Sequence, residues 1–229
     1  MRVLTWNLFH GRSIPPSGRA LTGEFAALLA GWEWDAALLQ EVPPWWPPLL
    51  ARVAGAEQRT ALTSRNLGLT LRRALAERWP DLVKSNGGGC NAILARSAIA
   101  EHRTIRLRRW PERRVAQLAR LRDGTCLVNF HGSARVRLAE DELDRLWERA
   151  LTWAGDAPLI VGGDLNLRSP RATNGDIVDV AHRDVDHLFV RGYEPCSSAD
   201  LLDRCIPLEE DRVELSDHVP LAVSLRDVG

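Results

Sequence analysis

Short apolar runs rich in Val, Ile and Leu recur along the chain at residues 2–7, 36–40, 92–95, 115–121, 126–130, 159–162, 188–190 and 219–225. Runs of this length, bounded by Gly, Pro and polar clusters, predict β-strands. Between them the spacing of apolar positions changes to three and four. Leu21, Phe25, Leu28, Leu29 and Trp32 share one helical face, and Leu67, Leu71, Ala74, Leu75 and Arg78 do so less cleanly. The clearest stripe is Leu143, Leu146, Trp147, Ala150, Leu151 and Ala154, with Glu140, Asp141, Asp144, Arg145 and Arg149 turned to water. Strands interleaved with helices predict a layered α/β fold in which helices cover sheets. Pro15–Pro16, residues 43–48 and residues 86–89 read as loops, each too short to link two domains.

Composition narrows this picture. The 229 residues are 45% hydrophobic and 26% charged, with no change of character along their length, so a single domain over residues 1–229 is expected. Thirty basic residues balance thirty acidic ones, and attraction to a polyanion would therefore have to come from a local patch. Cys90, Cys126, Cys196 and Cys205 show no C-x-x-C spacing, which argues against a zinc knuckle or redox pair and for buried free thiols. Residues 1–8 read as a strand and not as a signal peptide, and no later stretch approaches a membrane span. A cytoplasmic monomer is the expectation.

Polar residues at the ends of the apolar runs carry the candidate chemistry. Asn7 stands in TWNLFHG, Glu41 in LLQEV, Asp164 and Asn166 in GGDLNL, and Asp217 and His218 in SDHVPL. A polar side chain at a strand end sits where the backbone leaves the core, so several strands can bring oxygens to one point on a rigid base. A hard cation such as Mg²⁺ takes that kind of donor set. Gly162 and Gly163 ahead of Asp164 permit close backbone approach and a sharp turn. Asn7 alone is equally consistent with a side-chain turn closing its strand, and Glu41 alone with an exposed loop carboxylate.

Taken in order, these motifs resemble the endonuclease/exonuclease/phosphatase family, which includes DNase I-like nucleases, abasic-site endonucleases, sphingomyelinases and inositol polyphosphate phosphatases. The W-N motif is matched by Thr5-Trp6-Asn7, Q-E by Gln40-Glu41, G-D-x-N by Gly163-Asp164-Leu165-Asn166, and S-D-H by Ser216-Asp217-His218. Val128-Asn129-Phe130-His131 is similar to the family strand that ends in histidine, and Asp186-His187-Leu188-Phe189-Val190 to the D-x-[IF]-x-[VL] strand before S-D-H. Residues 91–96 and 112–116 look like family strands with less specificity. The resemblance implies a four-layer α/β/β/α sandwich, two mixed sheets face to face with helices outside, and a site at one end.

The resemblance also implies roles. Glu41 and Asn7 would bind Mg²⁺ or Mn²⁺, with Asp217 completing or supporting the coordination. Asp164 would orient or deprotonate the attacking water, with Asn166 fixing its geometry. His218, paired with Asp186, would contact the phosphate or accept the proton, and His131 would act as general acid or phosphate ligand. A carboxylate bonded to one imidazole nitrogen fixes the tautomer and leaves the other nitrogen for substrate. His10 either touches the site or is a solvated loop histidine, His187 fits packing, and Asn91 has reach toward the site. Hydrolysis of a phosphoester follows, with nucleic acid the leading substrate, a small ester or lipid headgroup the alternative, and an inactive binding module the third reading. Trp45 and Trp46 either stack a base or wedge a loop against the sandwich. The arginines from Arg103 to Arg114 either follow a phosphate backbone or form the solvated face of an edge strand. Tyr193 lies away from the place of the site tyrosine in abasic-site enzymes.

Overall fold

The computed structural model describes residues 1–63, 66–79, 89–172, 175–208 and 211–228. In chain order its elements are β1 (Arg2–Asn7), β2 (Ser13–Ile14), α1 (Thr22–Gly31), β3 (Ala36–Val42), α2 (Pro47–Ala54), β4 (Glu57–Leu62) and α3 (Leu69–Arg78), then β5 (Cys90–Ala95), β6 (Ile99–Arg108), β7 (Arg114–Leu121), β8 (Cys126–His131), α4 (Val136–Ala154) and β9 (Leu159–Asp164). The remainder is β10 (Val178–Arg183), β11 (Asp186–Arg191), β12 (Tyr193–Pro195), β13 (Asp200–Leu201), β14 (Cys205–Leu208), β15 (Asp211–Leu215) and β16 (Leu221–Asp227).

Each predicted apolar run forms a strand of one of two mixed sheets. One has the order β12-β16-β1-β3-β5-β4, with β13 also on β16, and the other β10-β11-β9-β8-β7-β6. Because side chains alternate along a strand, each sheet presents two faces. Val3, Leu38, Ile93 and Val223 of the first sheet meet Ala119, Leu127, Ile160 and Leu188 of the second. The opposite face of the first sheet, with Leu4, Trp6, Leu39 and Leu94, is covered by Phe25 and Leu29 of α1 and Leu50 of α2. On the far side of the second sheet, Val128, Phe130, Val161 and Phe189 are covered by Leu143, Leu146 and Trp147 of α4. These three interfaces make the expected four layers. Each fully buried Leu or Phe contributes about 1.5–3 kcal/mol.

Several expectations change. Pro47 and Pro48, assigned to a loop, open α2, where their fixed φ suits the first helical turn. Trp46 is 5% exposed and packs 5.3 Å from the Phe25 ring, so this tryptophan serves the core and not base stacking; Trp45 packs partly buried beside it. The predicted α3 exists but buries no side chain, and Leu71 on its apolar face is 67% exposed. Cys90 and Cys126 are buried free thiols, whereas Cys196 is exposed and Cys205 half-buried. Residues 86–88, including Gly87 and Gly88, lie outside the described residues. Strand β6 forms the edge of its sheet, and Arg108 is tied to the buried Glu142 of α4. Glu142 Oε2 also accepts from Ser133 N at 2.9 Å, and Oε1 from Ser133 Oγ at 2.8 Å, fixing the loop after β8. No helix among the described residues is long and apolar enough to cross a membrane.

Candidate active site

Each sheet contains one parallel pair, β1 with β3 and β8 with β9. A parallel pair needs a crossover, and α1 and α4 lie in those connections. Asn7 ends β1, Glu41 lies one residue from the end of β3, His131 ends β8 and Asp164 ends β9. The carboxyl ends of both pairs meet, because Asn7 Nδ2 donates to Asp164 Oδ2 across the two sheets at 2.9 Å. Asp186 begins β11 directly opposite Asp164, and residues 216–218 precede β16, the antiparallel neighbour of β1.

The resulting cleft, of about 390 Å³, is lined by Asn7, Glu41, His131, Asp164, Asn166, Asp217 and His218 among others. Asp186 stands behind His218, its Oδ2 2.7 Å from Nδ1. All eight predicted site residues are thus gathered at one end of the sandwich. A second depression of about 630 Å³ shares Asn166, Asp217 and His218 with the first and extends past Arg183 and Arg204.

Unusual backbone holds several of these side chains. Glu41, Asn166 and Ser216 have φ of 50°, 53° and 71°, a region costly for residues other than glycine. The register of β3 against β5 shifts between Leu39 and Val42, so a bulge turns Glu41 into the cleft. Asn166 N donates to Asp164 Oδ1 at 3.1 Å and Asn166 Nδ2 to Gly132 O at 3.1 Å. Ser216 Oγ donates to Asn7 O at 2.6 Å and accepts from His218 N at 3.1 Å, which pins the S-D-H segment to the end of β1. Gly163, at φ 140°, is still within β9, and a Cβ there would lie 1.9 Å from Phe130 O. Close approach is therefore its use, and the sharp turn expected at the glycines comes only after Asp164.

Beneath the cleft, two buried amides join the sheets. Gln40 Nε2 donates to Asn129 Oδ1 at 2.8 Å, and Asn129 Nδ2 donates to Leu39 O and Ala92 O at 2.9 and 3.0 Å. Sequence reasoning assigned neither residue a role, since a buried amide carries no local pattern. It also left His10 open. His10, at φ 55° in the turn after β1, lies with Nε2 2.8 Å from Glu41 Oε2. The following Gly11 was the available signal: a side chain there would collide with Trp46, so the turn at His10 is tight. Asn91 does reach the cleft, its Nδ2 donating to Val115 O at 3.0 Å while Oδ1 has no hydrogen-bond partner among the described residues. His187 is buried and not at the cleft, and Tyr193 bonds Thr125 2.7 Å away.

Charge separates the two histidines. Burial drives the His131 imidazole down to about 4, helped by the Arg114 guanidinium and opposed by Glu41, so it is neutral near pH 7. Burial acts on His218 in the same direction, but its bond to Asp186 and the Asp164 and Asp217 charges raise it to about 9. The proton between His218 and Asp186 therefore stays on the imidazole. Burial would raise Glu41, yet the His10 bond and the charges of His131 and His218 hold it at about 2. Asp164 is pushed up by burial and by Glu41, against the pull of His218 and Asn7.

The chain matches the model of the Endonuclease/Exonuclease/phosphatase family over residues 4–218. No curated protein sequence matches it. Among solved structures, it resembles an endonuclease/exonuclease/phosphatase from Beutenbergia cavernae DSM 12333 at 17% identity and TM-score 0.72, covering 100% of this chain and 72% of that one. The mannosyl-6-phosphatase of Bacteroides thetaiotaomicron VPI-5482 is 15% identical with TM-score 0.74, covering 99% of both chains. TDP2 of D. rerio, solved with a single-strand DNA product, is 15% identical with TM-score 0.71, covering 99% of this chain and 98% of that one. Identities this low speak for the fold alone. With the family model matched from residue 4 to residue 218, the chain belongs to the endonuclease/exonuclease/phosphatase family.

Proposed function

We propose that this protein is a divalent-metal-dependent phosphodiesterase acting on nucleic acid. The observation that carries the reading is a cleft in two parts that meet at Asn166, Asp217 and His218. A phosphodiester has a substituent on each side of phosphorus, and this arrangement gives room to both. Arg113 and Arg114 line one part beside Glu112, which pairs with Arg114, and Arg183 and Arg204 line the other beside Asp184, with Arg204 paired to Glu214; each part thus carries arginines within reach of a phosphate as well as carboxylates.

The residues present fit a hard divalent ion. Glu41 and Asp217 offer carboxylate oxygens and Asn7 an amide oxygen, a donor set suited to Mg²⁺ or Mn²⁺. The Glu41 charge disfavours ionisation of Asp164, and a cation relieves that repulsion. When bound, the ion supplies charge neutralisation and polarisation of a phosphate oxygen.

The protein groups account for the rest. Asp164 takes the proton of the water as its oxygen bonds to phosphorus and the bond from phosphorus to the leaving oxygen breaks, the leaving oxygen then being protonated from solvent; the orientation of Asp164 is set by the Asn7 amide and the Asn166 N–H. Cationic His218, held by Asp186, directs Nε2 toward the non-bridging oxygens on which charge develops; that atom lies 3.7 Å from Asp164 Oδ2. His131, neutral and with Nε2 3.5 Å from Asp164 Oδ2, is better placed as a phosphate ligand than as the general acid.

A second reading, hydrolysis of a small phosphoester, is favoured by the absence of Trp45 and Trp46 from the residues lining either part of the cleft. A panel of plasmid DNA, single-stranded DNA, RNA and bis-p-nitrophenyl phosphate with Mg²⁺ or Mn²⁺ separates the two. Nicking or shortening of a polymer supports the first, and cleavage of the small ester alone supports the second. Full activity in excess EDTA, or in Asp164→Ala, overturns the mechanism under either.

A further inference from the structure

Outside the cleft, the β10–β11 hairpin gathers a second set of ligating side chains. His182 and His187 are directly paired across its two strands, and their rings stack with centroids 5.6 Å apart. Asp179 stands three residues before His182, a spacing that in a regular strand places side chains on opposite faces. The register of β10 shifts between Asp179 and Ala181, and this bulge brings both onto the face that carries His187. One ligand atom from each of Asp179, His182 and His187 lies within 4.8 Å of the others.

The surroundings of His187 are informative. Its ring is 1% exposed, with Nε2 2.8 Å from Leu167 O and Nδ1 2.9 Å from Asp179 Oδ2. Both neighbours are acceptors. A neutral imidazole has one N–H and can satisfy only one of them, leaving the other nitrogen's lone pair against an oxygen. Two arrangements remove the conflict: a doubly protonated ring, or a metal ion on Nδ1 with the Nε2 proton given to the carbonyl. The second is the usual outer support of a histidine ligand, whose free N–H goes to a backbone carbonyl or carboxylate. Nitrogen and oxygen 2.9 Å apart subtend about 90° at an ion bonded to each at about 2.1 Å, an angle that five- and six-coordinate ions accept. The His182 side chain is 64% exposed and that of Asp179 28% exposed, so an ion has an open approach and these two ligands have room to close on it.

We propose that Asp179, His182 and His187 form a second metal site, separate from the cleft, for a borderline first-row transition ion such as Zn²⁺. Two imidazoles and one carboxylate suit such an ion better than Mg²⁺, which prefers oxygen. Its role is positional. The ion ties β10 to β11, and through the His187 bond to Leu167 O it fixes the loop that carries Asn166.

Co²⁺ serves as the spectroscopic probe. The cleft is silenced by Glu41→Gln and Asp164→Asn, and Mg²⁺ is kept in excess. In that background the protein should take up one equivalent of Co²⁺ with visible ligand-field bands, and Zn²⁺ should displace it. Asp179→Asn and His182→Ala should each weaken Co²⁺ binding at least about tenfold, since loss of even an outer-shell partner of a ligand costs that much. His182 is exposed, so its variant retains the fold, which circular dichroism verifies. Ring ¹⁵N shifts of His187 under saturating Zn²⁺ should show a bound Nδ1 and a protonated Nε2. Coincident Co²⁺ titrations of parent and Asp179→Asn proteins, or a His187 ring still protonated on both nitrogens under Zn²⁺, would overturn the proposal in favour of a plain Asp179–His187 ion pair.

Discussion

Replacing Asp186 by Asn tests whether the carboxylate behind His218 acts through charge. The side chain keeps its shape, but the anion 2.7 Å from Nδ1 is lost. His218 stands at about 9 against an ordinary 6.5. That difference corresponds to about 3 kcal/mol of preference for the cation. If most of it comes from Asp186, the variant's histidine returns toward about 6.5. At pH 8 the protonated fraction then falls from about 0.9 to about 0.03, and turnover by about thirtyfold; near pH 6 both proteins are largely protonated and the loss shrinks to less than about twofold. The assay is kcat for bis-p-nitrophenyl phosphate at saturating Mg²⁺ from pH 6 to pH 9, with His218 titrated by NMR in the metal-free protein. A loss equal at both ends of the range, or an unmoved His218 titration, refutes the electrostatic account and leaves Asp186 with orientation alone.

Further outcomes follow from the same geometry. Asp164→Asn should lower kcat by about 10²–10⁴-fold with little change in far-ultraviolet circular dichroism, since a general base is removed while shape is kept; activity within tenfold of the parent would sink its assignment. Dialysis against EDTA should abolish turnover, and Mg²⁺ or Mn²⁺ should restore it. Metal-free stability should fall as pH rises from 6.5 through 9, because His218, raised on folding to about 9, contributes stability that is complete below 6.5 and lost as pH passes its folded-state value; urea midpoints from pH 6.5 to pH 9 measure this limb, and a flat or rising profile contradicts it. Glu142→Ala should cost about 3–5 kcal/mol, because Arg108 loses its buried partner and Ser133 both of its acceptors. Denaturant titration should show the midpoint fall, and a loss below about 1 kcal/mol would mean that water replaces the carboxylate.

The central strands were legible because they are buried on both faces and read as continuous apolar runs. β1 and β9 also end in polar residues, and β3 carries one a residue before its end, which is why Asn7, Asp164 and Glu41 stood out, whereas His131 at the end of β8 was marked only by the family resemblance. Less was visible where tertiary contacts override local pattern. Pro43 to Pro48 resembles a loop until one sees that Pro47 occupies the first turn of α2. β10, with the sequence VDVAHR, is half polar and bulged, so no alternation announced it. The short strands β2 and β12 to β15 are paired by backbone and carry too few apolar side chains to register. His10 and Ser216 act through a left-handed backbone and one or two hydrogen bonds, neither of which a residue type encodes. The arginines split: Arg113 and Arg114 reach the cleft, whereas Arg103 and Arg106 line a separate groove against α4.

The Gln40–Asn129 bridge has a consequence for how reliably the two halves of the cleft face one another. Apolar side chains between flat surfaces resist separation but are nearly indifferent to small sideways slippage, because dispersion has little directionality. Hydrogen bonds have direction and short reach. One amide pair, one residue before Glu41 and two before His131, therefore works as a locating pin: it sets the offset between the slabs while the surrounding Leu and Val hold them together. Shaving either amide to an aliphatic of equal size should leave a well-folded protein whose two half-sites no longer line up to within the fraction of an ångström that proton transfer demands.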